Sequence, residues 1–443
     1  MSEKFVLVIP SHDAALSEYV KVFKRKLGVS PIFYLGYESN LVNELQACGF
    51  ICITKKNITN NTDKIKKVLI NIFKVFLDKT SIGCFIQKNL LLNRLVRNKI
   101  NQIKKKSDEL EIIISQYGIR TCLLASDRSS GVEASVYFLA KKIELKTVVL
   151  SFAYSADFIS SYKLREAKIY KNAIPSSNNV YVDEVLGSRT FFRPFEEFAL
   201  TRLGVFPNNP WVLGSGCCDF MLLESDREKE RLIRLGGDAS KYITTGAASH
   251  DDLYNSLLEK KSINDALIKK YQLSYDRNIV ISLPQYFEHG LCEKKLHFQY
   301  IEDLLYQLSD LNFNLIISLH PKMNLDNYIY LKSKFQIVIL EESLSNVIVV
   351  ADIFLATYSS TIAWALMCQI PVVIFDHIGL NYSDFYSEFD FKVVKDNLEL
   401  KAEVEHKIDL LSSISSENEV KNLSPFDGAC VDRIVCLLAS GDE

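Results

Sequence analysis

The chain has 443 residues, 48% hydrophobic and 24% charged, with a formal net charge of -2. That length exceeds one ordinary core, so two domains of about 200 residues are expected in a globular protein. The near-neutral charge excludes the global basic field of a nucleic-acid binder.

The opening MSEKFVLVIPSHD holds a short apolar run that stops at Pro10. It is too short for the apolar core of a signal peptide and suits a buried first strand. No stretch approaches the ~18 uninterrupted apolar residues of a membrane span. The ten cysteines form no C-x-x-C pair, so neither a zinc site nor a disulfide framework is expected, and cytoplasmic thiols are.

Short β-branched runs alternate with amphipathic segments. Residues 5–9, 31–35, 50–54, 121–125, 147–152 and 219–223 read as strands of a first domain, closed by YITTG at 242–246. Residues 279–283, 314–318, 336–340, 353–357 and 371–375 read as strands of a second. Continuous apolar strands separated by helices signal parallel sheets covered on both faces. The predicted organisation is therefore two doubly wound Rossmann-like domains, 1–255 and 256–405, followed by a helical tail, 406–443. Helix 228–235 stops at Gly236–Gly237, and a helical connection runs from Asp251 to about Tyr275.

Residues 55–106 carry fourteen Lys/Arg against two Asp, interleaved with VLINIFKVFL and NLLLNRLV. This predicts a basic helical insertion in the first domain, at about 55–110. Two readings stand for it: a solvated basic face, or a surface that docks on anionic lipid or an acidic glycan.

The chemistry concentrates at predicted strand ends, where open α/β sheets bind ligands. In ADIFLATYSSTIAWALM, Ser359, Ser360 and Thr361 fall at the start of a helix after a strand, where free N–H groups and hydroxyls can hold a phosphate. Plain capping would need only one of the three. Upstream, a strand ends in His320–Pro321–Lys322, able to meet the same phosphate. Glu341–Glu342 lies at another strand end, suited to ribose hydroxyls or simply solvated. In ISLPQYFEHG, Gln285 and His289 follow the first strand of the second domain, within reach of phosphate or nucleobase.

Over residues 279–377 the order strand–His-Pro, acidic pair, strand–Ser-Ser–helix resembles the C-terminal domain of bacterial sialyltransferases and related capsule and lipopolysaccharide enzymes. The resemblance implies a GT-B fold, two Rossmann-like domains facing a cleft. It also implies that His320, Pro321, Ser359, Ser360 and Glu342 hold the CMP of a CMP-sugar. The run from Leu223 to Tyr254 is similar to the segment that closes the N-domain of many GT-B enzymes and UDP-sugar 2-epimerases, with Gly246 and Asp251 structural.

For the acceptor side, TCLLASDRSSGVEASVYF puts Asp127 at a strand end and Glu133 in the next helical turn. The resembled enzymes keep their catalytic base in a D/E-D/E-G motif, of which Asp-Arg-Ser-Ser-Gly-Val-Glu is a loose counterpart only. Asp127 is the first choice as base. His12–Asp13, after the first strand, form a second option. An Asx turn at Asp127 and helix-dipole complementarity at Glu133 are the plainer explanations.

The function expected is transfer of a nonulosonic acid from a CMP-activated donor to a hydroxyl of a surface glycan, in the cytoplasm or at the inner face of its membrane. His320, Lys322 and the Ser-Ser-Thr turn would stabilise the leaving phosphate. No Asp-x-Asp motif occurs, so no metal is expected to be required, and no nucleic-acid partner is expected. The rivals are a hydrolysing UDP-sugar 2-epimerase, a CDP-glycerol glycerophosphotransferase and a non-catalytic nucleotide-sugar scaffold.

Overall fold

A computed structural model describes residues 4–24, 28–37, 39–54, 75, 77–150, 165, 168–171, 179–183, 187–288, 290–320, 323–380, 391–411 and 425–439. The chain divides into two compact units, Met1–Ala248 with Cys430–Glu443, and Ser249–Ala429.

The first unit is built on seven parallel strands: β1 (Lys4–Ile9), β2 (Val29–Leu35), β3 (Ile51–Thr54), β4 (Thr121–Leu124), β5 (Lys146–Leu150), β8 (Phe220–Leu223) and β9 (Tyr242–Thr244). Their order is β3-β2-β1-β4-β5-β8-β9. An antiparallel hairpin, β6 (Val180–Asp183) and β7 (Gly187–Thr190), lies outside this sheet. The second unit has six parallel strands: β10 (Asn278–Ser282), β11 (Asn314–Ser318), β12 (Ile337–Ile339), β13 (Ile353–Ala356), β14 (Val372–Phe375) and β15 (Val393–Val394). They run β12-β11-β10-β13-β14-β15. The strand order reverses direction between β1 and β4 in one sheet and between β10 and β13 in the other, the points at which such sheets bind ligands.

Alternation along each strand explains the two covered faces. Leu7 and Ile9 join a cluster with Ile103, Leu110, Tyr137 and Leu139, whereas Val6 and Val8 join Leu16, Tyr19, Val431 and Ile434. In the second unit Ile279 and Ile281 pack with Leu304 and Leu308, and Val280 packs with Ile348 and Ile362.

The basic segment differs from a peripheral insertion. Residues 55–74 lie outside the described residues, but from Leu92 a 26-residue helix runs to Tyr117, past the predicted end. It buries Ile103, Leu110 and Ile114 against the sheet, so it is the crossover between β3 and β4. Arg94, Arg97, Lys104 and Lys105 occupy its exposed face. It stops at Gly118, which takes φ +60 and donates its amide to Ile114 and Ser115.

The segment read as a tail is split between the units. Helix Asn397–Leu411 packs in the second unit. Helix Cys430–Ala439 returns to the first, because Val431, Ile434, Val435 and Leu438 form one apolar stripe that closes over β1 and β2. Among the described residues no helix is long and apolar enough to cross a membrane. All ten cysteines are free thiols; Cys122 is buried, whereas Cys48 and Cys436 are exposed despite their apolar sequence neighbours.

Candidate functional site

The carboxyl ends of β11, β10, β13 and β14 are neighbours in the second sheet, and each releases a polar segment. His320 leaves β11 exposed, in a tight turn in which Met323 N donates to the His320 carbonyl at 2.8 Å. Pro321 and Lys322 lie outside the described residues, as does His289. After β10, Gln285 is partly covered, and its buried Oε1 has no hydrogen-bond partner among the described residues.

After β13 the three hydroxyls divide their roles. Ser359 Oγ accepts from Thr361 N at 3.3 Å and lies 2.8 Å from Thr361 Oγ1. Ser360, the formal cap of helix Thr361–Met367, makes no side-chain capping bond and is exposed. Ser359 thus does the work of a cap, and the Ser360 hydroxyl is left over.

The end of β14 escaped the sequence reading. Asp376 is fully buried; its Oδ1 accepts from Leu380 N at 2.9 Å and its Oδ2 from Tyr358 OH at 3.2 Å. It therefore ties the loop after β14 to the loop after β13. The ring of His377 packs against that of Tyr300 at a tilt of 59°, with centroids 4.0 Å apart. Burial lowers the His377 pKa against the opposing pull of Asp303, Asp376 and Asp396. Tyr286 OH lies 3.4 Å from Thr357 Oγ1 and pairs with the His377 backbone. The signal that could have found Asp376 and His377 is the rule already applied elsewhere: they directly follow the apolar strand VVIF.

Glu342, expected at the ribose, is otherwise engaged. Its Oε1 accepts from Lys270 Nζ at 2.6 Å and its Oε2 from Tyr271 OH at 2.6 Å. Burial pushes its pKa up, but these two bonds outweigh that and the net direction is down. The carboxylate anchors helix Lys260–Tyr271 to the end of β12.

In the first unit, His12 caps helix Asp13–Phe23, its Nδ1 accepting from Ala15 N at 3.3 Å. Tyr37, past the end of β2, faces Asp13; burial first, and the Asp13 charge next, raise its phenol. Asp127 is only 3% exposed. Its Oδ2 accepts the Gly216 amide at 2.6 Å, and the adjacent Arg128 donates to the carbonyls of Pro210 and Trp211. Burial raises the Asp127 pKa against Arg128 and the backbone bonds. The residue ranked first as base is therefore the bracket of a distant loop. Glu133 is also buried; its Oε2 accepts from Ser129 Oγ at 2.8 Å, and desolvation raises its pKa. Glu224, directly after β8, was missed by the sequence reading; burial, then Glu228, pushes it up to about 7.

No protein family and no curated protein matches this sequence. Solved structures do. The UDP-GlcNAc 2-epimerase of Neisseria meningitidis, bound to UDP-GlcNAc, is similar over 98% of this chain and 99% of its own, with 12% identity and a TM-score of 0.52. The fold is GT-B. The UDP-GlcNAc 2-epimerase of Methanocaldococcus jannaschii, in complex with UDP-GlcNAc and UDP, is similar over 98% and 99%, with 12% identity and a TM-score of 0.51. S. aureus MnaA, solved with UDP, gives 98%, 95%, 12% and 0.51. At such identity the likeness is one of fold, and fold alone hosts several activities.

Proposed function

We propose that this chain is a glycosyltransferase that takes a nucleotide-activated sugar, in the finer form a CMP-linked nonulosonic acid, and transfers the sugar to a glycan hydroxyl. The observation that carries the reading is the Ser360 hydroxyl: exposed, free of a capping duty, and two strands along the sheet edge from His320. Between them, β10 contributes Gln285 with its unpartnered Oε1. Three adjacent strand ends thus offer groups suited to one phosphate and its nucleoside.

In the proposed reaction the bond between the anomeric carbon and the phosphate oxygen breaks, leaving negative charge on CMP. His320, Ser360 and the N–H groups at the start of helix Thr361–Met367 stabilise that charge. A monophosphate leaving group has less charge to neutralise than a diphosphate, and the reading requires no metal. With one Asp127 oxygen holding the Gly216 amide, we assign Glu133 as the proton acceptor, its basicity raised by desolvation.

A second reading, a UDP-GlcNAc 2-epimerase, is favoured by similarity over nearly the full length of such enzymes. Incubation with CMP-N-acetylneuraminic acid, UDP-GlcNAc and CDP-glycerol separates the readings. The expected result is CMP release from the first alone. Free UDP and a 2-epimerised sugar from UDP-GlcNAc would replace the transferase reading, and CMP from CDP-glycerol would point to glycerophosphate transfer.

The acceptor is proposed to be lipid-proximal. In the helical turns that precede helix Leu92–Tyr117, Ile82, Phe85 and Leu90 are 66%, 61% and 71% exposed. Exposed apolar residues followed by a helix that exposes Arg94, Arg97, Lys104 and Lys105 suit an anionic bilayer. The chain is expected to sediment with phosphatidylserine vesicles at low salt and to dissociate as salt screens the charges. No sedimentation at low salt would remove this part of the proposal.

A further inference from the structure

We propose that the acceptor is itself an acidic sugar, and that the guanidinium groups of Arg128 and Arg165 in the first unit hold its carboxylate. The inference names an acceptor class for the transferase reading above and rests on that reading.

Arg128 follows Asp127 on the turn that runs from β4 to helix Val132–Ala140. The first turn of that helix carries Glu133, the assigned proton acceptor. Arg165 arrives from a later part of the chain, its Nε donating to the Phe191 carbonyl at 2.8 Å. The Phe191 ring brings the two together. Its centroid lies 3.6 Å from the guanidinium carbon of Arg165 and 5.4 Å from that of Arg128. Phe191 packs edge-to-face with buried Trp211, which is pinned through Nε1 to the Asn179 carbonyl at 3.1 Å. Both cations therefore rest on a fixed aromatic base.

Their placement is costly. Burial lowers the pKa of both arginines, to about 10 for Arg165, where the Arg128 charge adds to the effect and Tyr170 and Glu196 oppose it. The N–H groups on Arg128 Nη1 serve the carbonyls of Pro210 and Trp211 at 3.2 and 3.1 Å. Its Nε is buried with no acceptor among the described residues. Its Nη2 makes no hydrogen bond to them either, yet is not sealed, and the residue keeps partial exposure. Asp127 attracts Arg128, but its Oδ2 holds the Gly216 amide and no hydrogen bond joins the two side chains. Glu196 is committed as well, with Oε1 accepting from Ser130 Oγ at 2.8 Å and Oε2 from the Arg193 amide at 3.2 Å. A half-buried guanidinium that lacks a bonded counter-charge is stabilised when a ligand brings one.

The ligand class follows from shape and charge. The planar fork of arginine matches the two oxygens of a carboxylate. Glu133 and Glu196 already place negative charge around this turn, which a singly charged carboxylate tolerates better than a doubly charged phosphate. An acidic sugar supplies both parts required, a carboxylate for the arginines and a hydroxyl for Glu133.

Calorimetry on the full chain tests this with the methyl glycosides of N-acetylneuraminic acid and glucuronic acid, each beside its neutral methyl ester. The parent is expected to prefer the acid of at least one pair by roughly tenfold to a hundredfold, the range for hydrogen bonds to a charged group. Arg165→Met keeps an unbranched stem on Phe191, and Arg128→Lys keeps the charge without the fork; each should reduce the preference about tenfold. Arg97→Met, on the exposed face of helix Leu92–Tyr117, should leave it unchanged, and CMP should bind all the variants alike. Should Arg165→Met fail to fold, Arg165→Lys serves instead and is expected to reduce the preference. Equal binding of acid and ester, binding of neither, or a preference untouched in both arginine variants overturns the inference, while CMP release from CMP-N-acetylneuraminic acid would keep the transferase reading. Acid preference without such release would keep the arginine site and remove the transferase reading instead.

Discussion

Gly216→Ala is expected to destabilise the first unit by about 3 kcal/mol, a loss large among single substitutions. A Cβ at Gly216 would stand 2.3 Å from the Asp127 carbonyl oxygen and 2.7 Å from Asp127 Oδ2. Neither can retreat easily. The carbonyl belongs to the segment leaving β4, and the carboxylate already holds the Gly216 amide at 2.6 Å. The strain is steric, since Gly216 is not among the glycines with positive φ. Urea unfolding monitored by tryptophan fluorescence is well placed to read it, because buried Trp211 lies in the same loop. A change below about 1 kcal/mol would show that the 208–218 loop moves independently of Asp127.

Ser360→Ala and His320→Ala are expected to abolish most of the thermal stabilisation by CMP. A ligand present at about a hundred times its dissociation constant adds roughly 2.7 kcal/mol, and a loss of affinity of about a hundredfold removes most of that gain. The unliganded proteins should tell the two serines apart. Ser360→Ala should melt with the parent, because Ser360 makes no capping bond. Ser359→Ala should lose about 1 kcal/mol even without ligand, as capping serines do. Full CMP stabilisation retained in both Ser360→Ala and His320→Ala would leave the strand ends of β11 and β13 without a nucleotide role.

All twelve strands expected of the two parallel sheets are present, with ends displaced by one or two residues. Their legibility has a physical cause: a strand buried on both faces must be continuously apolar, and such runs stand out between amphipathic helices. The hairpin β6–β7 and the two-residue edge strand β15 carry no such run, and they were not anticipated. The strand-end rule likewise located His320, Gln285 and Ser359–Thr361.

What the sequence concealed were the partners. Asp127 reads as a strand-end carboxylate, yet its Oδ2 holds an amide 89 residues away. Glu342 is held by Lys270 and Tyr271, more than 70 residues upstream. His297 resembles any residue of a helical run until Tyr328 and Glu288 close around it. Such pairings depend on sheet order and loop paths, which local periodicity does not encode.

The return of helix Cys430–Ala439 to the first sheet has a bearing on how the protein comes into being. Val431, Ile434, Val435 and Leu438 cover part of the face formed by Val6, Val8, Phe33 and Leu35. During synthesis that patch emerges early and stays bare while residues 249–429 are made. The second unit, contiguous in sequence, can complete its core first, although it is translated later. The first unit waits for its final helix, with exposed apolar surface in the interval, the condition under which nascent chains depend most on chaperones.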